Sequence, residues 1–396
     1  MNDKDTVILS GARTPMAEYN GSFAGVTEIE LGAHAARHAL QRAGISGDEV
    51  DHTVMGNAMQ TSSNAIYGAR HVGLKAGVPV DRPALTVNRI CGSGIQAVIS
   101  ADHLLRLEEA EVVLAGGMEN MSQAPYVLRG ARTGWANLGT GHMEDALLAG
   151  LTDNFCGFSM AATAENLARE MDISRRDMDT FAALSQERAQ AFHQSGSAAE
   201  EIVPYEVPHR RGPLVVAEDD HMRPGTTVEM LSRLKPAFQK DGFVTAGNAS
   251  GIVDGAAALV VCSGRRAARQ KDTPLGRVLT HAVVGVEPRI MGIGPVPAIQ
   301  AVLTRAGMRL DQIDLFEINE AFAAQYLAVE KSLGLDRDKV NVNGGAIALG
   351  HPLGATGTRL ILTLLMELRR RKQRYGIASA CIGGGQGIAM LVESIG

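Results

Sequence analysis

The stretch Leu40-Gln-Arg-Ala-Gly-Ile-Ser-Gly-Asp-Glu-Val-Asp51 returns later, without a gap, as Leu303-Thr-Arg-Ala-Gly-Met-Arg-Leu-Asp-Gln-Ile-Asp314. Both copies end a predicted helix with Ala-Gly, because glycine is the preferred residue just after a helix. Both copies then lead through an aspartate into a short apolar strand, at 53–55 and at 315–318. The match predicts a chain that is built from two similar halves.

The order of the elements that follow is also the same in the two halves. A glycine-rich turn leads into an apolar helix, and the helix is followed by a strand that ends in glycines. In the two halves these elements lie at 91–94, 95–107 and 112–117, and at 350–357, 360–368 and 377–383. Alternating strands and helices predict an α/β fold with parallel or mixed sheets.

Three helix starts can be read from the sequence. Thr27-Glu-Ile-Glu30 has the spacing of a capping box, and Ser174-Arg-Arg-Asp177 opens a clear helix at 174–193. Pro295 or Pro297 suits the first turn of a helix in the second half. These signals predict where helices begin on both sides of the middle of the chain.

The middle of the chain differs in composition from the two halves. Residues 122–247 are loop-rich, and five of the 14 prolines lie between Pro204 and Pro236. Small apolar residues return at 248–261, which we predict to be a helix and then a strand. The domains predicted from this organisation are an N-terminal half at 1–121 with 250–270, a loop domain at 122–249, and a C-terminal half at 271–396.

Composition and charge argue against several classes of protein. The net charge is −5, which disfavours general nucleic-acid binding, and no apolar run approaches the ~20 residues that span a bilayer. The four cysteines show no CxxC and no paired-histidine spacing, so we expect no metal site and a reducing compartment. The first residues resemble neither a signal peptide nor a presequence. We therefore expect a cytoplasmic protein without a nucleic-acid or membrane partner.

Two cysteines stand where a strand runs into glycines. Cys91 lies in Asn88-Arg-Ile-Cys-Gly-Ser-Gly94, and Cys381 lies in Ala378-Ser-Ala-Cys-Ile-Gly-Gly-Gly-Gln-Gly387, with Gly350-His351-Pro352 between them. A helix start favours the thiolate, and glycine lets a substrate carbonyl approach backbone N–H groups. Taken alone, either cysteine is better explained as a small buried residue that packs against glycines. The three segments together predict an enzyme that carries acyl groups on sulfur.

Four motifs resemble those of the thiolase family, and their order and spacing match that family across essentially the whole chain. They are Asn88-Arg-Ile-Cys-Gly-Ser-Gly94, Asn319-Glu-Ala-Phe-Ala323, Gly350-His-Pro-Leu-Gly354 and Cys381-Ile-Gly-Gly-Gly-Gln-Gly387. Further segments, at 121–125, 151–153, 291–297 and 343–350, resemble the 3-ketoacyl-CoA thiolases in particular. The resemblance implies two duplicated αβαβαββ halves in a five-layered α-β-α-β-α core, with an inserted loop domain over the site. It also implies a homotetramer, with a dimer as the second choice.

The resemblance assigns five catalytic residues. Cys91 would carry the acyl group, and His351 would take the Cys91 proton and later help to bind the thioester oxygen. Cys381 would act as acid and base on the carbon next to a thioester, which carbon–carbon bond cleavage and formation require. Asn319 would orient a water in one oxyanion site, while the N–H groups of Cys91 and Gly383 would form the other.

The same resemblance implies that coenzyme A and acetyl-CoA are substrates and that no cofactor is bound permanently. Neither a Walker A motif nor a strand-linked GxGxxG is present. Two positions match residues that contact the coenzyme in the family, and five match apolar positions along its pantetheine arm. They are Arg223 and Ser250, and Met160, Leu234, Phe238, Ala246 and Phe322.

The function that we expect is that of an acetyl-CoA C-acyltransferase, which cleaves 3-ketoacyl-CoA with CoA or condenses two acyl-CoA units. Three alternatives remain: an acetoacetyl-CoA-specific biosynthetic enzyme, a decarboxylating ketoacyl synthase, and an inactive thiolase-like binding protein. Cys381 argues against the synthase, which lacks a second catalytic cysteine, and the complete catalytic set argues against the inactive protein. Ser159 stands before Met160 where acetoacetyl-specific thiolases have a histidine, which favours longer acyl chains.

Overall fold

One mixed sheet of ten strands runs through both halves of the molecule. The computed structural model describes residues 2–133, 142–210 and 212–395 of the chain. In these residues the strands are β1 (Thr6–Arg13), β2 (Ala17–Glu18), β3 (His52–Gly56), β4 (Ala84–Val87), β5 (Val112–Glu119), β6 (Tyr126–Arg129), β7 (His142–Asp145), β8 (Thr152–Asp153), β9 (Phe158–Ser159), β10 (Tyr205–Val207), β11 (Leu214–Val216), β12 (Val253–Ser263), β13 (Gly276–Gly285), β14 (Leu315–Ile318), β15 (Tyr375–Ile382) and β16 (Gln386–Ser394). The α-helices are α1 (Glu28–Ala43), α2 (Gly68–Lys75), α3 (Ser93–Arg106), α4 (Ala146–Gly150), α5 (Met160–Glu170), α6 (Arg175–Gln194), α7 (Ala198–Glu201), α8 (Val228–Ser232), α9 (Gly264–Ala267), α10 (Pro295–Ala306), α11 (Ala323–Leu333), α12 (Ala346–Leu349) and α13 (Leu353–Arg371).

The large sheet consists of two matching groups of strands. Its order is β4-β3-β5-β12-β1-β13-β16-β15-β14, with β2 paired to β12 outside this order. In the first group β3 is parallel to β5, and β12 is antiparallel to β5 and to β1. In the second group β14 is parallel to β15, and β16 is antiparallel to β15 and to β13. The groups meet where β1 pairs with β13, so the duplication that the sequence predicted is confirmed.

Helices form three layers around these two groups of strands. α3 and α13 pack on each other, and α13 packs on β5 and β12 of the first group and on β15 of the second. The two helices therefore lie between the groups, in a buried cluster that includes Ile95, Val98, Val113, Leu259, Leu360, Leu364, Ala378 and Ile388. On the outer faces α1 covers the first group and α10 covers the second. This is the predicted five-layered α-β-α-β-α core.

The ends of the helices follow the capping signals in the sequence. Thr27 Oγ1 accepts the N–H of Glu30 at the start of α1, and Ser174 forms a capping box with Asp177 at the start of α6. Gly44 after α1 and Gly307 after α10 both adopt the left-handed conformation, with φ of 61° and 64°. Other residues pay a steric penalty there, which explains why both copies of the repeat end in Ala-Gly.

The segment at 248–252 is not the helix that the sequence predicted. Its backbone pairs instead with loops of the second half, and β12 begins only after it. Asn248 O accepts the N–H of Ala323, and Gly251 O accepts the N–H of His351, both at 2.9 Å. A helix would compete for these backbone groups, which already have partners in the extended form. The segment consequently lies against the turn that holds His351.

The part of the chain between β5 and β12 is rich in loops. Within the described residues it contains the two-stranded sheets β6–β7, β8–β9 and β10–β11, together with α4 to α8. β12 then returns to the large sheet and lies between β1 and β5. No helix in the described ranges is long and apolar enough to cross a membrane.

Candidate active site

A cavity of about 260 Å³ lies where the two halves meet the loop-rich part. Cys91 and His351 are on its wall, next to the segment at 249–252. The rest of the wall is mostly apolar and consists of Met121, Leu148, Leu151, Thr152, Ser159, Met160, Ala161, Phe238, Met291, Ala321, Phe322 and Leu353. Few polar groups on an apolar wall are typical of a binding site for an organic molecule, and charges interact more strongly there than in water.

Cys91 lies in one turn of 3-10 helix, Ile90–Gly92, that runs directly into α3. Ile90 has a φ of 47°, which is uncommon for a β-branched residue because its side chain crowds the backbone. Asn88 supports this conformation, since its Oδ1 accepts the N–H of Ile90 at 2.9 Å. Cys91 as a whole residue is only 7% exposed. The turn therefore presents a buried thiol to the cavity at the beginning of a helix.

Burial opposes the effect by which a helix start favours the thiolate. Burial raises the pKa of Cys91 to about 11, although the N–H of Gly383 donates to Sγ and opposes the rise, and the charge of Glu119 adds to it. Removing a thiolate from water costs more than the helix start returns. Cys91 is consequently a neutral thiol near pH 7 and needs a base before it can attack.

His351 lies two residues before α13 and is almost fully buried. It follows Gly350, whose φ of 88° and contact with β12 leave no room for a side chain. Its Nδ1 lies 2.6 Å from Thr356 Oγ1, and its Nε2 lies 3.3 Å from Asn319 Nδ2. Burial and then the positive charge of Arg359 lower the pKa of His351 to about 3. The imidazole is therefore neutral and has a nitrogen lone pair that can accept a proton.

The second thiol lies close to the first. Cys381 is near the end of β15 and fully buried, and burial and the neighbouring Cys91 raise its pKa. Gly383 follows the strand, and its N–H points to the sulfur of Cys91. A Cβ at Gly383 would lie 3.1 Å from Met160 Sδ, so this turn also approaches the apolar wall. The fold thus brings together two cysteines that are distant in sequence.

Asn319 is buried directly after β14, and its backbone N–H donates to Ser379 O at 2.9 Å. Its side-chain Nδ2 faces the imidazole of His351, while its Oδ1 has no protein partner in the described residues. A buried amide oxygen is stable only with a hydrogen-bond donor, which a water or a ligand can supply. The two side chains therefore form a polar corner in an otherwise apolar site.

Four of the seven residues expected to bind the coenzyme lie on the cavity wall. They are Met160, Phe238, Ser250 and Phe322. Phe238 is 55% exposed, so it stands on the solvent side, whereas Phe322 is buried deeper. The arrangement is that of a passage from the surface to the thiol.

The other three residues lie away from this wall and nearer to the surface. Leu234 and Ala246 are exposed. Arg223 is also exposed, and its guanidinium pairs with Glu18 Oε2 at 2.6 Å. A surface ion pair of this kind is weak and can open when a more highly charged group approaches. The role of these residues stays a prediction.

Two polar side chains that hold the site together were missed by the sequence analysis. Glu119, at the end of β5, accepts two N–H groups of the loop after β3 at 3.0 Å and the N–H of Gly354 at 2.8 Å. It ties this loop to the first turn of α13. Thr356, one turn after the Gly-His-Pro motif, contacts the ring of His351. The sequence signals were a carboxylate that ends an apolar strand and a hydroxyl one helical turn after a candidate base.

Comparison with known proteins identifies the family. The model of the thiolase N-terminal domain matches residues 6–265, and the model of the thiolase C-terminal domain matches residues 272–394. The chain belongs to the thiolase family. The family predicted from the four motifs is therefore confirmed.

Individual thiolases resemble the chain over nearly its whole length. Human mitochondrial 3-ketoacyl-CoA thiolase is 50% identical over 388 residues, which are 98% of each chain. An acetyl-CoA acetyltransferase of Pseudomonas aeruginosa is 48% identical and also covers 98% of each chain. The crystal structure of the human mitochondrial enzyme in complex with CoA has a TM-score of 0.96 and 48% identity, with all of both chains covered. An acetyl-CoA acetyltransferase from Syntrophomonas wolfei also has a TM-score of 0.96, at 37% identity, with 99% of this chain and 100% of that one covered.

Proposed function

We propose that the chain is an acetyl-CoA C-acyltransferase that cleaves 3-ketoacyl-CoA with CoA and runs the condensation in reverse. The observation that carries this proposal is that the Cys91 thiol and the neutral imidazole of His351 lie on the wall of one cavity, with the buried Cys381 thiol near enough to Cys91 for the charge of Cys91 to raise its pKa. Thiolase relatives with both activity names share about half of the sequence, and one of them has been solved with CoA. Coenzyme A is then a substrate, and no permanent cofactor is needed.

The first half of the reaction breaks a carbon–carbon bond. The sulfur of Cys91 attacks the 3-keto carbon, and its proton passes to Nε2 of His351, because the thiol is neutral and the imidazole accepts protons. The bond between carbons 2 and 3 then breaks and leaves an acyl group on Cys91. The electron pair of that bond goes to carbon 2, which takes the proton of Cys381. Acetyl-CoA leaves, and Cys381 is a thiolate.

The second half returns every proton to its starting place. The Cys381 thiolate takes the proton of the incoming CoA thiol, and the CoA sulfur attacks the acyl group on Cys91. Cys91 leaves as a thiolate and recovers its proton from the imidazolium of His351. The product is an acyl-CoA that is two carbons shorter. Both cysteines end neutral, as burial favours in the free enzyme.

Negative charge that develops on oxygen has two places to be stabilised. The N–H of Gly383 points into the site beside Cys91, and with the N–H of Cys91 it would form one oxyanion site. The corner of Asn319 and His351 would form the other, with a water on the unpartnered Asn319 Oδ1. Donors that are fixed in a buried site stabilise a developing oxyanion without having to reorganise.

We propose further that acyl chains longer than four carbons are accepted. The cavity wall beside Cys91 is mostly apolar, and Ser159 on that wall is small. Its Oγ accepts the N–H of Ala162 at 3.2 Å and caps α5. Each methylene that is buried contributes up to about 0.8 kcal/mol. A histidine at position 159 would fill this space with a polar ring.

The test is a comparison of kcat/KM for cleavage of four-, six- and eight-carbon 3-ketoacyl-CoA by the native enzyme and by Ser159→His. The native enzyme should cleave the six-carbon substrate at least as efficiently as acetoacetyl-CoA, and Ser159→His should lower the six- to four-carbon ratio. Ser159→Ala, which removes the cap but adds no bulk, is the matched control. A native kcat/KM that falls tenfold or more from four to six carbons supports the acetoacetyl-CoA-specific alternative. No cleavage of any substrate overturns the enzymatic proposal itself.

The domain limits, the assembly and the compartment remain predictions as well. The loop-rich part at 122–249 supplies Met160 and Phe238 to the cavity, which supports its assignment as the coenzyme-binding loop domain between the halves at 1–121 with 250–270 and at 271–396. A homotetramer, then a dimer, is the assembly that we propose, and light scattering of the purified enzyme distinguishes them. A cytoplasmic location is testable by cell fractionation.

A further inference from the structure

The ring of His351 has a polar neighbour on each side. On the Nδ1 side stands Thr356, which is 1% exposed and whose Oγ1 lies 2.6 Å away. On the Nε2 side stands Asn319, whose Nδ2 lies 3.3 Å away. A neutral imidazole has one N–H and one lone pair, and its partners decide which nitrogen carries the hydrogen.

The hydrogen bonds of Thr356 determine that choice. Its hydroxyl donates to Pro352 O, four residues back in the chain, at 3.0 Å. A hydroxyl has a single hydrogen, so in this arrangement only lone pairs of Oγ1 face the ring, and they are satisfied when Nδ1 of His351 carries the hydrogen and donates. The other nitrogen, Nε2, then keeps its lone pair. This agrees with Asn319, whose amide N–H group points to Nε2.

We propose that Thr356 is a positioning residue that holds His351 in its Nδ1–H tautomer, so that Nε2 is the nitrogen whose lone pair takes the proton of Cys91. The inference deepens the proposed function, on which it rests. Thr356 acts through His351 and touches no reacting atom. The opposite tautomer would turn an N–H toward the reaction, and that nitrogen could not accept a proton.

Two variants of Thr356 separate positioning from packing. Thr356→Val keeps the shape but removes the acceptor, so the Nδ1–H of a buried ring loses its partner and the preference for this tautomer weakens. Pro352 O keeps two donors, the N–H groups of Ala355 and Thr356 at 2.9 Å, so the substitution leaves no unpaired carbonyl. Thr356→Ser keeps the hydroxyl and should rescue the activity.

A matched control lies on the same helix. Thr358 is also fully buried, and its hydroxyl contacts Gly94 O at 3.3 Å and not the ring of His351. Thr358→Val therefore removes a buried hydroxyl from α13 at a comparable cost in stability. Any loss of activity that comes only from a weaker helix should appear in both valine variants.

The experiment measures kcat, KM, acyl transfer to Cys91 from acetyl-CoA, and thermal unfolding for the native enzyme and the three variants. Loss of the partner that orients a metal-bound histidine typically costs about ten- to a hundredfold, and we expect a loss of the same order at this ring. We expect this loss in kcat and in the acylation rate of Thr356→Val with little change in KM, and native rates for Thr356→Ser. Native rates in Thr356→Val overturn the inference, as do equal losses in Thr358→Val. An inactive native enzyme instead overturns the proposed function.

A direct measurement needs no folded variant of Thr356. In the native enzyme labelled with 15N-histidine, the NMR signals of the two ring nitrogens of His351 distinguish protonated from unprotonated nitrogen. The signals are assigned by their absence in His351→Asn. A protonated Nδ1 and an unprotonated Nε2 support the inference, and the reverse pattern overturns it.

Discussion

The carboxyl edges of the two half-sheets place equivalent residues in different surroundings. The residue after β3 is Asn57, and the residue after β14 is Asn319. Glu119 lies two residues after the residue of β5 that pairs with the end of β3. Cys381 lies two residues after the residue of β15 that pairs with the end of β14. The two helix starts correspond too: Cys91 stands two residues before α3, and a histidine stands two residues before α13.

The first half uses its equivalent positions to hold loops in place. Glu119 accepts the side chain of Asn57 at 2.9 Å, two backbone N–H groups of the following loop, and the N–H of Gly354. Asn57 Nδ2 also donates to Met118 O at 3.2 Å. A buried carboxylate with this many donors has its hydrogen-bonding capacity filled and is costly to disturb. This edge is therefore a structural clamp.

The second half leaves the same positions open to a reaction. The charge of Cys91 acts on Cys381, whose donor is its own backbone N–H, and Asn319 reaches the imidazole of His351 only at 3.3 Å. The two halves have one geometry at these positions, and the second half has fewer hydrogen bonds there. The comparison indicates that, of two equivalent positions, the one with fewer hydrogen bonds is the better candidate for a reacting group.

Replacing either of the two thiols should have the largest effect on turnover. Cys91→Ala removes the atom that carries the acyl group, so turnover should fall by at least about 10⁴-fold and no acyl-enzyme should form. Mass spectrometry of the intact protein after incubation with acetyl-CoA detects the acyl group. Cys156→Ala, at a half-buried thiol outside the cavity wall, is the control and should behave as the native enzyme does. Acyl transfer to Cys91→Ala would refute the assignment of the nucleophile.

Cys381→Ser should lose a different step of the same reaction. The serine hydroxyl is too weak an acid and base for the proton next to the thioester, so condensation and exchange of that proton should disappear. The acyl-enzyme on Cys91 should still form, because that step uses His351. Isotope exchange and mass spectrometry on one sample measure both steps. Near-native condensation in Cys381→Ser would mean that another residue is the base.

Replacement of Asn319 should mainly lower activity, whereas replacement of Asn57 should mainly lower stability. Asn319→Ala removes the polar corner beside His351 and should lower kcat by about 10²–10³-fold, as loss of an oxyanion donor does elsewhere, with little change in unfolding. Asn57→Ala removes a bond of the Glu119 clamp and should cost about 1–3 kcal/mol of stability, with a much smaller change in kcat. Denaturant unfolding and steady-state kinetics on both variants provide the readout. Similar profiles for the two variants would contradict the division into clamp and reactive edge.

Much of this architecture could be predicted from the sequence, because local signals determine it. The Ala-Gly helix ends, the capping boxes and the order of elements in the repeat are contacts within a few residues, and each appears in the structure. The motifs also predicted a set of reacting side chains, and two of them, Cys91 and His351, share one cavity.

The rest depends on contacts between distant parts of the chain. The extended form of 248–252 requires partners that lie 71 and more residues away, so its small apolar residues were mistaken for a helix. The clamp of Glu119 needs the helix start at Gly354, in the other half. The charge state of Cys91 follows from burial, which no local motif reports. Sequence patterns predicted the residue types of the site but not the environment that sets their pKa.

The smallest effect to test is the pH dependence of the equivalent residues Cys91 and His351. Below its pKa of about 11 a thiol loses thiolate about tenfold per pH unit, whereas an imidazole with a pKa of about 3 keeps the same charge across the neutral range. Alkylation of Cys91 by iodoacetamide should therefore rise about tenfold per unit from about pH 6 to 9, without a plateau, because only the thiolate reacts. Peptide mapping follows Cys91, and the Cys156→Ala enzyme removes the half-buried background. A rate that levels off near neutral pH would show that the two residues form a thiolate–imidazolium pair. In that case the second half would stabilise the charged pair by more than burial destabilises it.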